Sequence, residues 1–205
     1  SMSPDVENPA YRALTFDQLC AAYEEQMLVL SQGGADIFLI ETIFDTLNAK
    51  AALMAARHVK ELTSRRIPIM LSVTIADASG RTLSGQTLDA FLASVQHDED
   101  ILSVGLNCSF GAEDMRPYLR ALAERAPYFI SAHPNAGLPD EEGNYVETPA
   151  MMAQAISAFI DDGSVNIVGG CCGSTPTHIR AIAQMAEGRA GRPRPAQGKV
   201  DWLAG

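Results

Sequence analysis

The strongest constraint on the fold of this chain is a rhythm: short apolar runs, rich in β-branched residues, alternate with longer segments of helical period. The runs are Asp36–Glu41, Ile67–Ile75, Leu102–Leu106, Tyr128–Ala132 and Asn166–Val168. They are almost continuously apolar, as strands covered on both faces are, which predicts a parallel sheet with helical crossovers. Six helices are expected around them: Phe16–Gln32, Thr46–Thr63, Leu88–Gln96, Glu113–Arg125, Thr148–Asp161 and Pro176–Glu187. In the first, Phe16, Leu19, Tyr23, Met27 and Leu30 recur at spacings of three and four before Gly33-Gly34 ends the pattern. Thr148-Pro149 and Thr175-Pro176 each place a capping hydroxyl and a proline where a helix begins.

One leading helix and five strand–helix pairs make an α/β chain. It reads as the later part of a (β/α)8 TIM-type barrel, a partial barrel of about five parallel strands with six helices. A full barrel has eight strands and ~250 residues, so the front of this one is expected to be about three strands short. An open doubly wound sheet is the other architecture that five strands form, but no Gly-x-Gly-x-x-Gly follows the first strand. Residues 1–187 are assigned to the barrel. Residues 188–205, where Gly-Arg-Ala-Gly-Arg-Pro-Arg-Pro lacks an apolar period, are assigned to an exposed linker or tail. The opening Ser-Met reads as a cleavage scar.

Composition bears on partners. Lysine and arginine number 15 against 25 acidic residues, a net charge of −10. An acidic surface repels phosphate backbones, so nucleic acid is not an expected partner. No apolar run approaches the ~20 residues that span a bilayer, and no secretory pattern opens the chain. No membrane partner and a cytoplasmic location are therefore expected. Four cysteines are too few for a disulfide scaffold, and they are expected to be reduced.

Three of those cysteines carry the chemistry. Cys108 and the adjacent Cys171 and Cys172 stand directly after predicted strands, in Asn107-Cys108-Ser109-Phe110-Gly111 and Gly169-Gly170-Cys171-Cys172-Gly173-Ser174. In a barrel such positions share the rim that forms the active face. Three thiolates meeting there would make a three-cysteine zinc site with one position open, the form that catalytic zinc takes. Successive strand residues point to opposite faces, so aiming both Cys171 and Cys172 at one ion requires leaving β geometry. Gly169, Gly170 and Gly173 would make that inexpensive. Spacing alone leaves two alternatives open: a thiol-redox pair, although the Cys-x-x-Cys spacing is missing, and inert buried thiols. Cys20 and most methionines read as core, His133 as structural, His58 and His97 as solvated, and Asp98-Glu99-Asp100 as a solvated turn.

These same residues carry a resemblance. Gly169-Gly170-Cys171-Cys172-Gly173 after a strand, with Asn107-Cys108 upstream, resembles the homocysteine S-methyltransferase domain. Three segments are similar to the cobalamin-dependent methionine synthase branch of that family. They are Ile40-Glu41-Thr42-Ile43-Phe44-Asp45-Thr46-Leu47-Asn48-Ala49-Lys50, Gly105-Leu106-Asn107-Cys108 and Pro134-Asn135-Ala136-Gly137-Leu138-Pro139. The resemblance runs from about Tyr11 to about Glu187.

The resemblance implies a zinc-dependent transfer of a methyl group to homocysteine, giving methionine. The donor it implies is methylcobalamin on a separate domain, with a folate-binding domain as a further partner within the parent protein. Cys108, Cys171 and Cys172 would bind Zn2+, Asn135 would fill the fourth position until substrate displaces it, and Glu41 would hold the substrate amino group. Asn107 would shape the same pocket, and no catalytic residue is expected beyond the zinc site. On residues alone, Asn135 between Pro134 and Ala136-Gly137 is also compatible with a plain turn. Glu41 closes an apolar run where an unpartnered acid is costly to bury, which favours a function. A barrel short of strands is expected to expose sheet edges open to self-association and to be weakly active. The alternatives are a non-catalytic metal-binding fragment and a zinc S-methyltransferase that takes its methyl group from S-methylmethionine.

Overall fold

Each expected helix forms, and most start at a side chain that satisfies the free backbone N–H groups of a first turn. The computed structural model describes Tyr11 and residues 13–193; the Ser-Met start and residues 194–205 of the expected tail lie outside the described residues. Helix α1 (Phe16–Gln32) opens with a capping box between Thr15 and Gln18. Asp45 caps α2 (Thr46–Thr63), Thr87 caps α3 (Leu88–Val95) and Thr148 caps α5 (Pro149–Asp161). Helix α4 (Ala112–Arg125) starts at Gly111 without a side-chain cap. In α6 (Pro176–Ala186) the His178 ring nitrogen Nδ1 accepts from the Thr175 N–H at 3.1 Å.

Between the helices run β1 (Phe38–Ile43), β2 (Ile69–Val73), β3 (Ile101–Asn107), β4 (Phe129–His133) and β5 (Ile167–Val168). They form one sheet in the order β1-β2-β3-β4-β5, every pair parallel. This is the α/β, TIM-type arrangement that the rhythm of the sequence predicts.

The register sorts the strand residues onto two unlike faces. Ile40, Leu71, Val104 and Ile130 lie in one row, and Val73, Leu106, Ala132 and Val168 in the next. This aliphatic face is nearly all buried, together with Leu53, Phe91, Met115, Leu119, Ile156 and Phe159 from the helices. The other face is small and polar: Ser72, Gly105 and Ser131 share a row, and Asn107 pairs with His133 above it. Gly105 is required there, because a Cβ would overlap the Ser131 carbonyl oxygen.

The structure corrects five expectations. The first strand is Phe38–Ile43 rather than Asp36–Glu41, because pairing begins where Phe38 N–H meets the Pro68 carbonyl at 3.0 Å. Glu41 is exposed, not buried, since β1 is an edge strand and Glu41 lies on its uncovered face with Leu39. Asp98-Glu99-Asp100 is not a solvated turn: Asp98 is buried, and Asp100 pairs with Lys60 and Arg66. Met54 and Met151 are exposed rather than core. Finally, the described start of the expected exposed tail is docked. Arg192 is buried, donating to the carbonyls of Ala123, Ala126 and Tyr128 at the C-terminal end of α4.

Candidate metal centre

Three loops follow the C-terminal ends of β3, β4 and β5, and backbone hydrogen bonds lace them together. Cys108 N–H donates to the His133 carbonyl at 3.1 Å, Asn135 N–H to Phe110 at 3.0 Å and Cys171 N–H to Pro134 at 2.8 Å. Ala136 N–H donates to the Cys172 carbonyl at 2.9 Å. The Asn135 side chain adds the last tie, its Oδ1 accepting from Cys172 N–H at 3.1 Å. These bonds gather sulfurs 63 and 64 residues apart in sequence. Cys108 Sγ lies 3.7 Å from Cys172 Sγ, and Cys171 Sγ lies 4.0 Å from Cys172 Sγ. All three fall within 4.8 Å of one another and are able to hold a metal ion; among the described residues no other group of three is so placed.

Local geometry supports the gathering at a cost. Cys108 and Ser109 have φ of 60° and 62°, two left-handed residues in succession without a glycine. Each such position costs on the order of 1–3 kcal/mol and persists only where its surroundings impose it. The glycines act differently from expectation. Of Gly169, Gly170 and Gly173, only Gly173 has a positive φ, 78°. Gly169 and Gly170 provide room: a Cβ on Gly169 would come 2.7 Å from His133 Cδ2, and one on Gly170 would overlap Ser174.

Around the sulfurs the two asparagines are committed, while His133 Nδ1 is buried without a hydrogen-bond partner. Asn107, 1% exposed, accepts at Oδ1 from Thr42 N–H and the Ser72 hydroxyl, and donates through Nδ2 to Thr42 Oγ1 and Cys171 Sγ. Asn135 is 4% exposed. Glu41 precedes Thr42 and is open to solvent. Burial pushes the Cys171 thiol up to about 11, with Cys108 and Cys172 adding and the Asn107 N–H opposing. Burial holds the His133 imidazole below its usual value, against the pull of Glu41. His178 Nε2 donates to the Glu147 carbonyl at 2.8 Å while Nδ1 accepts, so neither nitrogen faces the sulfurs as a ligand.

Tyr145 was not found from the sequence. Its ring packs so closely on Gly173 that a Cβ there would overlap it, and burial, with the nearby thiols adding, pushes its hydroxyl above the usual range. It arrives on a short antiparallel return, the Pro139–Tyr145 bridge, around a turn where Asp140 accepts from the N–H groups of Glu142 and Asn144. Pro139-Asp140 and Gly143 signal that turn, but nothing in the local sequence says what the turn covers.

The sequence profile of homocysteine S-methyltransferases matches residues 1–186. The chain belongs to the homocysteine S-methyltransferase family. Solved structures agree in fold. The Escherichia coli homocysteine methyltransferase MmuM in its apo form is 18% identical with a TM-score of 0.64, covering 84% of this chain and 57% of its own. The metallated form of that protein gives 18% and 0.65, covering 83% and 52%, and the oxidised form 20% and 0.61, covering 80% and 52%. This homocysteine S-methyltransferase chain therefore spans a little over half the length of those relatives, and in it Cys108, Cys171 and Cys172 occupy the rim where barrel enzymes keep their active sites.

Proposed function

We propose that residues 1–187 are the zinc- and homocysteine-binding later part of a methionine synthase-type barrel, in which homocysteine receives a methyl group from methylcobalamin carried on a separate domain. The observation that carries the reading is the sulfur triangle. Tetrahedral zinc with Zn–S of about 2.3 Å separates its sulfurs by about 3.8 Å, which suits the 3.7 and 4.0 Å measured here. The donor set fits as well: three cysteine sulfurs converge on one point, and burial favours the protonated form of Cys171 until a divalent cation reverses the balance. Bound zinc supplies a centre at which a substrate thiol loses its proton near neutral pH and stays nucleophilic.

In this reading Cys108, Cys171 and Cys172 hold the ion and keep its surroundings electron-rich. Asn135 stands by as a neutral, displaceable fourth ligand, fixed at the cluster by Cys172 N–H. Glu41 offers a carboxylate to the substrate ammonium, and its exposure leaves it free to do so. The resemblance of Ile40–Lys50 and Pro134–Pro139 to the cobalamin-dependent branch supports that donor, and with it cobalamin- and folate-binding domains as partners in the parent protein. Four free cysteines suit a reducing, cytoplasmic location. Edge strands β1 and β5 support self-association.

The test has two parts. Elemental analysis of the purified chain is expected to show one zinc per chain, lost in Cys108→Ala. Mass spectrometry with homocysteine and free methylcobalamin is expected to show slow methionine formation. Zinc without methionine would leave a metal-binding fragment, and methionine formed from S-methylmethionine alone would reassign the donor.

A further inference from the structure

The carboxamide of Asn107, the last residue of β3, uses every hydrogen-bonding position it has. Oδ1 accepts from Thr42 N–H at 2.9 Å and from the Ser72 hydroxyl at 2.7 Å. Nδ2 donates to Thr42 Oγ1 at 3.0 Å and to Cys171 Sγ at 3.9 Å. A backbone N–H only donates, so the Thr42 contact decides which end of the amide is oxygen, and the amino end is thereby aimed at sulfur. A side chain this occupied has no hydrogen-bonding position left for a substrate, so its part in the pocket is to position other groups. The partner it grips twice is unusual. Thr42 is β-branched yet has φ of 58°, a conformation such residues adopt only when their surroundings impose it. It sits where the β1–β2 register shifts, directly after Glu41.

Resting on the zinc and homocysteine reading above, we propose that Asn107 is a positioning residue that ties the two ends of the substrate site together. Through Thr42 it sets where Glu41 stands, and through Cys171 it orients a metal-binding sulfur. The spacing so fixed selects a thiol that carries its amine a set number of carbons away, so Asn107 acts on the choice of chain length and not only on affinity.

The test uses the whole chain loaded with Co2+, whose sulfur-to-metal absorption reports the ligands without turnover. Asn107→Asp keeps the acceptor for Thr42 and Ser72 but turns an oxygen toward Cys171. Asn107→Ala removes the clamp, and Thr42→Gly adopts a positive φ without needing one. Asn107→Asp is expected to shift the absorption and weaken Co2+ retention against a chelator by about 10–100-fold. Asn107→Ala is expected also to weaken homocysteine binding at saturating Co2+ and to narrow its preference over cysteine. Adding Thr42→Gly to Asn107→Ala is expected to restore homocysteine binding and preference but not the absorption, a split that a space-filling role would not produce. The proposal is overturned if Asn107→Asp behaves as the parent, or if Thr42→Gly restores nothing. Should the variants not fold, the unaltered chain decides. Loaded with spin-active Cd2+, its Asn107 amide protons are expected to shift and couple to the metal through Cys171, and the absence of both overturns the proposal. A parent chain that takes no Co2+ onto its sulfurs defeats the zinc reading and this inference with it; a parent that loads beside variants that behave identically defeats only the role of Asn107.

Discussion

At the N-terminal ends of the strands, charged side chains close the fold against neighbours they could exchange. Lys60 and Arg66 share Asp100, Asp98 accepts from the Asp100 N–H, and Arg192 gathers the carbonyls that end α4. At the C-terminal ends of the same strands, Asn107, Asn135 and the three cysteines each answer to partners from two or three different segments, and three of the four non-glycine residues with positive φ among the described residues, Thr42, Cys108 and Ser109, stand here, the fourth being Ser64 at the C-cap of α2. The lower end consists of separate small clusters, each built on one side chain, whose loss is local. The upper end is a network in which each member positions another, at a cost in backbone strain. Such strain gathers where a structure serves a ligand rather than its own stability.

Three changes outside the sulfur network sharpen that contrast. The largest effect is expected in the aliphatic layer that both ends share: Phe159→Ala empties a fully buried site and should cost about 3–5 kcal/mol in urea unfolding, while zinc content per folded chain stays unchanged. A loss of zinc in the folded fraction would show that the two regions are not separable. Next, Arg192→Ala leaves the Ala123, Ala126 and Tyr128 carbonyls without their donor. It should cost about 1–3 kcal/mol, again without changing the reactivity of the three rim thiols toward a thiol reagent. Smallest is the ion pair at Asp100. Burial raises that carboxyl, but the bonds from Lys60 and Arg66 outweigh it and hold it below the usual range. The folded value is depressed, so this stability is present above the unfolded value and is lost as pH falls through the folded one. Because Lys60 and Arg66 are largely exposed, the loss should be under about 1 kcal/mol. It should vanish in Asp100→Asn, seen as a flatter dependence of unfolding on acid.

Much of the fold was legible because its causes are local. Thr148-Pro149 announces α5, Gly33-Gly34 ends α1, and the five aliphatic runs fall on the five strands to within about two residues because each strand turns an aliphatic face to the core. The three cysteines were legible as a group because strand ends converge in a barrel. What the sequence did not reveal depends on residues far away in the chain. Thr42 is held left-handed by Asn107, 65 positions on. Tyr145 packs beside the cysteine loop only because Gly173 leaves room for its ring. Arg192 looked like part of a solvated, Arg-Pro-rich tail until α4 supplied carbonyls for it to cap. Gly169 and Gly170 stand out in the sequence, but what they provide is space and not the unusual torsion angles expected of them.

The claim beneath all of this is that Cys108, Cys171 and Cys172 grip one ion together. X-ray absorption at the zinc edge of the loaded chain tests it directly. Three sulfur neighbours at about 2.3 Å and one lighter atom are expected, with one sulfur lost in each single cysteine-to-alanine variant that still retains metal. Zinc bound mainly through oxygen or nitrogen, or a spectrum unchanged by Cys108→Ala, would contradict it.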